Sequence, residues 1–155
     1  EKIKDERKKE TVERIDQRID ALNEKMMQHF SSVLDKLEEM LVRISERADK
    51  ASAEKGLNIS AVRSAVDKAN TVIASARLAI EIQTGKTYTI TITTESALKT
   101  DVGKTRQAFG ADLEKVKDAV KAAHSAVKDA AVALARLVVK PKVSPSPTLE
   151  ATPAQ

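Results

Sequence analysis

The sequence predicts an all-α fold: an elongated three-helix up-down-up bundle or coiled coil, with one short extended, strand-like segment at about 86–94 between the second and third helices. Apolar residues recur at steps of three and four over long stretches, as thin stripes on single helical faces. Helix breakers are scarce: there are four glycines, and all four prolines fall in the last fifteen residues. A chain rich in Ala, Glu, Lys, Leu and Arg with this periodicity reads as long helices. At KTYTITITT alone the period switches from helical to two.

The first helix is expected over about 12–55. Its stripe is Val12, Ile15, Ile19, Leu22, Met26, Phe30, Val33, Leu37, Leu41, Ile44, Ala48 and Ala51. The charged residues before it either extend this helix or fray. Gly56 followed by Leu57 matches a Schellman stop. The second helix, about 60–83, takes Asn58 or Ser60 as its cap and carries Ile59, Val62, Val66, Ala69, Ile73, Ala76 and Ile80. Its small flanking residues let neighbours approach closely. The third helix, about 95–139, carries Leu98, Val102, Phe109, Leu113, Val116, Val120, Ala123, Val127, Ala130, Leu134 and Leu137, and Pro141 stops it. One elongated domain over 1–140 and a Pro/Ser/Thr-rich tail over 141–155 follow.

Lengths suggest how the legs fit. The first and third helices span on the order of 65 Å each, the second only about 37 Å. The extended segment adds roughly 25–30 Å. Together, the second helix and that segment make a returning leg as long as its neighbours.

The segment itself raises a bonding question. Tyr88, Ile90 and Ile92 alternate with Thr89, Thr91 and Thr93. Helices have no spare backbone groups to offer it. Its edge therefore faces water, or pairs with a second copy by strand addition. Tyr88, Thr89, Ile90, Thr91, Ile92 and Thr93, with Val143, Pro145 and Pro147 of the tail, are the candidate self-assembly interface.

Chemistry-bearing motifs are weak. Gly85-Lys86-Thr87 and Gly103-Lys104-Thr105 resemble the end of a phosphate-binding loop, but Ile80 and Leu98 stand where its first glycine belongs. His29 and His124 have no second histidine at ligand spacing. The carboxylates Asp16, Asp20, Glu38, Glu39, Asp112 and Glu114 read as polar-face residues. No catalytic, cofactor-binding or metal-binding residue is assigned, no cofactor is expected, and the reading is non-enzymatic. Without cysteine there is no disulfide framework. The net charge of +4 comes from interspersed charges of both signs, so nucleic acid is not an expected partner. No membrane span is expected, because Ala130–Val139 is short and carries Arg136. Asn58-Ile59-Ser60 is a sequon, and Ser144, Ser146, Thr148 and Thr152 are candidate glycan acceptors. A first residue other than Met is read as a trimmed chain or a removed signal peptide.

The stretch from Ile44 to Leu137, carried by RADKASAEKGLNISAVRSAVDKA, YTITITTESALKTDV and KDAVKAAHSAVKDAAVALARL, resembles secreted α-helical proteins of candidate-phylum, small-genome bacteria with a Pro/Ser/Thr-rich C-terminal tail. The resemblance implies secretion and no particular chemistry. The expected role is a structural subunit that assembles with itself into an extracellular filament or surface layer. The alternatives are a secreted or periplasmic coiled-coil adaptor or chaperone-like module, and a lipid-surface protein, which the lack of Trp disfavours.

Overall fold

A computed structural model describes residues 5–139. The expected all-α three-helix bundle is what it contains: α1 (Glu6–Lys55), α2 (Ser60–Thr84) and α3 (Leu98–Val138), with a single 3₁₀ turn (Glu95–Ala97) leading into α3. The connector 86–94 is neither helix nor paired strand. The expected tail, with Val143, Ser144, Pro145, Ser146, Pro147, Thr148 and Thr152, lies outside the described residues.

Helix α1 begins at Glu6, six residues before the apolar stripe does. Asp5 is its N-cap, accepting the Arg7 amide at 3.0 Å. Glu6 adds an acidic first turn at the positive end of the helix dipole. Gly56 ends α1 at φ 65°, the left-handed region where a side chain is penalised. Its N–H donates to the Ser52 carbonyl at 2.9 Å, which is the single-bond αL stop rather than the two-bond Schellman form. Asn58 caps the next helix, its Oδ1 accepting the Ser60 amide at 3.0 Å.

The legs run antiparallel in register. Asp49 pairs with Arg63, Asp35 and Glu38 with Arg77, and Asn23 with Gln83, so α1 is read backwards along the second leg. The connector continues that march: Asp20 meets Tyr88 and Asp16 meets Ile90.

The core is one narrow seam. The α2 stripe from Ile59 to Ile80 is buried at every predicted position. Leu34, Val62, Ala69, Ile73, Ala76, Ala123 and Ala130 are at most 2% exposed, and the fully closed alanines let α2 and α3 backbones approach closely. The α1 stripe departs from expectation in its middle. Asn23, Met27 and Leu34 face the core, whereas Leu22 is 45% exposed and Met26 and Val33 sit at its edge. Adjacent apolar pairs leave the phase open by one residue, and the buried Asn23 fixes it.

Leu34→Ala removes a fully enclosed side chain and is expected to destabilise the fold by about 2–5 kcal/mol. Met40→Ala, at a site 53% exposed, should change stability by less than about 1 kcal/mol. Urea unfolding followed by circular dichroism compares the two.

Candidate interaction site

Helix α2 stops at Thr84 because Gly85 and a run of β-branched residues follow it. Gln83 is the buried residue of its last turn, so its carbonyl needs donors inside the protein. The Gln83 carbonyl accepts Nδ2 of Asn23 at 3.0 Å and the Lys86 amide at 3.1 Å. The Gln83 side chain, 2% exposed, donates to Oδ1 of Asn23 at 3.0 Å and to the Tyr88 hydroxyl at 2.7 Å. That hydroxyl donates onward to Oδ2 of Asp112 on α3 at 2.9 Å. Lys86 Nζ closes the chain on Asp112 at 2.9 Å. The Tyr88 ring meets Phe109 edge-on at 5.1 Å. Each member is matched, so this cluster clamps three segments and leaves no convergent unpaired polar group for catalysis. Lys86, and then the Tyr88 hydroxyl, hold the Asp112 carboxyl below its ordinary range, and burial pushes the Tyr88 phenol up.

Beyond the clamp the connector alternates as the sequence predicted. Tyr88 and Ile90 are buried, Ile92 is half-buried, and Thr87, Thr89, Thr91 and Thr93 are exposed. Ile90 packs with Val12, beside Ile15, Leu98 and Val102. The expectation that helices have nothing to offer its backbone needs correcting, because carboxylate side chains serve it. Asp20 accepts the Tyr88 amide at 3.4 Å and Asp16 the Ile90 amide at 3.1 Å. Two extended residues advance about 6.8 Å and four helical residues about 6.0 Å, so aspartates one turn apart meet alternate amides. Asp101 of α3, 5% exposed, takes the Thr93 amide at 3.0 Å and its hydroxyl at 2.9 Å. These two bonds hold its carboxyl below the ordinary value. The Thr94 hydroxyl then accepts the Ala97 amide at 3.2 Å, and Lys8 pairs with Glu95. The amides of Thr89 and Thr91 have no hydrogen-bond partner among the described residues. Of the predicted interface, Tyr88 and Ile90 are therefore spent inside the chain, and the threonines form its outer row.

A second feature was not foreseen. Charges alternate in sequence along α1 but separate around it. From Glu10 to Lys50, at about 100° per residue, every carboxylate falls on the flank toward the second leg: Glu10, Glu13, Asp16, Asp20, Glu24, Asp35, Glu38, Glu39, Glu46 and Asp49. Every Arg and Lys in that span falls on the flank toward α3: Arg14, Arg18, Lys25, Lys36, Arg43, Arg47 and Lys50. The trough between α1 and α3 consequently has basic walls. Two of its hollows, about 400 and 480 Å³, join at Ile44, Arg47 and Ala131 and are walled by Arg43, Lys50, Lys55 and Lys128. Further along lie Arg18, Lys99 and Arg106. Glu54 is the one carboxylate lining these hollows, and Lys50 holds it at 3.8 Å. Among the described residues no ion pair bridges α1 and α3 helix to helix, whereas α1 and α2 are bridged by Arg63 and Arg77.

None of the described helices is long and apolar enough to cross a membrane, and no three of the described His, Asp and Glu side chains are grouped to hold a metal ion.

Two outcomes follow. Asn23→Ala strands buried partners on Gln83 and should cost about 1–3 kcal/mol in chemical unfolding. Asp101 and Asp112 both titrate lower folded than unfolded, so their stabilisation is complete above their unfolded values near 3.8. It is lost as pH falls through their lower folded values. Thermal melts from pH 7 to pH 2 should drop on that acid limb, and Asp101→Asn or Asp112→Asn should flatten it.

With that geometry in view, no protein-family model, no curated protein and no solved structure matches this chain.

Proposed function

We propose that this chain is a non-catalytic structural subunit that assembles with copies of itself, outside the cell, into a filament or surface layer. One observation carries the reading. The connector has one backbone edge tied to Asp16 and Asp20, while Thr89 and Thr91 keep amides unpartnered among the described residues beneath an exposed threonine row. Such an edge is a template for strand addition by another chain. Pairing at Thr89 and Thr91 leaves the bonds to Asp16 and Asp20 in place. The tail segment with Val143, Pro145 and Pro147 is proposed as part of the same contact. The likeness of Ile44–Leu137 to secreted helical proteins supports the extracellular setting, where the exposed Asn58 of the sequon can carry a glycan.

A discrete-oligomer adaptor is the second reading, favoured by the trough between α1 and α3, which has an apolar floor and walls that are basic apart from Glu54. The two readings differ in whether association stops.

Thr91→Pro tests the first. Proline removes the donor at an edge the fold itself leaves unpaired, and the preceding Ile90 is already extended-compatible. The wild-type chain should form open-ended polymers in light scattering and electron microscopy. The variant should keep its helical circular dichroism and melting temperature, lose polymer at least tenfold, and remain dispersed. A wild-type chain that stays monomeric across concentration and salt, or a variant that polymerises equally well, rejects the reading.

A further inference from the structure

Across α1 and α2 the fold pairs opposite charges, as at Arg77 with Asp35 and Glu38, at 2.6 and 2.8 Å. Across α1 and α3 it sets like charges on facing walls. Among the described residues lining the trough only Glu54, paired with Lys50, answers them from inside the chain, so the remaining like charges cost the isolated chain stability. Met40, 53% exposed, lies in the trough floor between Arg43 and Lys128, so apolar surface is also left open there. An apolar floor between cationic walls fits an acidic ridge with some apolar character. The outward face of α1, next to Arg43, offers one: Glu39, Val42 and Glu46 are all exposed within two helical turns, and Val42 is 56% exposed.

We propose that the basic trough between α1 and α3 of one copy receives the acidic flank of α1 from the next copy. The inference rests on the self-assembly reading and adds to it a second contact, distinct from the connector edge. Two troughs cannot face each other, because that would double the like charge. The contact is therefore head-to-tail in kind: one surface docks on a different one. Since each copy carries both surfaces, every docking leaves a free trough and a free flank, and growth continues unless the rotation closes a ring. A nucleic-acid strand or an anionic bilayer would also answer the cations. Neither uses the acidic flank, and a phosphate backbone leaves the apolar floor uncovered.

Charge exchange tests this on the full chain. Arg43→Glu with Arg47→Glu gives a trough that repels the natural flank. Glu39→Lys with Glu46→Lys gives a flank that repels the natural trough. All four sites are exposed, and circular dichroism and thermal melting report whether each variant folds. Each variant alone should lose polymer at least tenfold by light scattering. An equimolar mixture should regain it, because the acidic trough of one accepts the basic flank of the other. Wild-type polymer should weaken as salt rises. Variants that polymerise like the wild type, or a mixture that stays dispersed, overturn the trough contact. If Thr91→Pro still abolishes polymer in that case, self-assembly stands without it. A wild-type chain that never polymerises overturns both, and the same holds if it binds duplex DNA or anionic vesicles as a monomer instead.

Discussion

The second leg is too short as a helix. At about 1.5 Å per residue, α2 covers roughly half the length of α1, and Gly85 with the threonine–isoleucine run prevents its continuation. Everything distinctive follows from filling the remaining distance with a non-helical chain between two helices. A helix brings its own hydrogen bonds; this connector must borrow them. The donors at its start are Asn23 and Lys86, and the acceptors along it are Asp20, Asp16 and Asp101. The borrowed bonds fix the places of Asp16 and Asp20 on α1 and of Asp101 on α3.

That dependence joins the core to the surface. The acids of α1 lie toward the second leg because Tyr88, Ile90, Arg63 and Arg77 require acceptors there. The cations then occupy the other flank, beside the basic wall of α3. Satisfying the returning leg accounts for Asp16, Asp20, Asp35, Glu38 and Asp49, half of the acids on that side. It does not account for α3 presenting Lys99, Arg106 and Lys128 to the same trough, where α1 already supplies cations. That excess is the part of the surface that folding alone leaves unexplained.

The sequence made the helices and their order legible because their stripes are long and interrupted at Gly56 and Gly85. The α2 seam is legible residue for residue, although Val72 stands beside Ile73 and Leu78 and Ile82 lie exposed near Ile80. The middle of α1 was misplaced by one residue because Leu22, Met26 and Val33 sit beside core positions and hydropathy cannot rank adjacent apolar side chains. A buried Asn23 reverses the choice only once Gln83 is known to lie opposite. The aspartates at 16 and 20 looked like ordinary polar-face residues, and Asp101 drew no notice. Their role depends on which chain passes beside them, which no local pattern encodes. One signal was available: plotted around the helix rather than along the chain, the charges from Glu10 to Lys50 fall into two camps.

The two open features also differ in where they sit. The connector takes the place of α2 against α1 and α3, so its threonine row lies on the α2 side of the rod. The basic trough is the seam that α2 does not cover, on the far side. A single partner bound to one of these surfaces leaves the other free. A molecule that used only the connector edge, paired two-fold with the same edge of a second copy, would associate in pairs and stop. One that uses both, with the acidic flank of α1 between them, extends in at least one direction with every subunit added, because the docking surfaces of each new subunit are as incomplete as those of the first. Under the proposed contacts, open-ended growth requires no change in how the three helices pack.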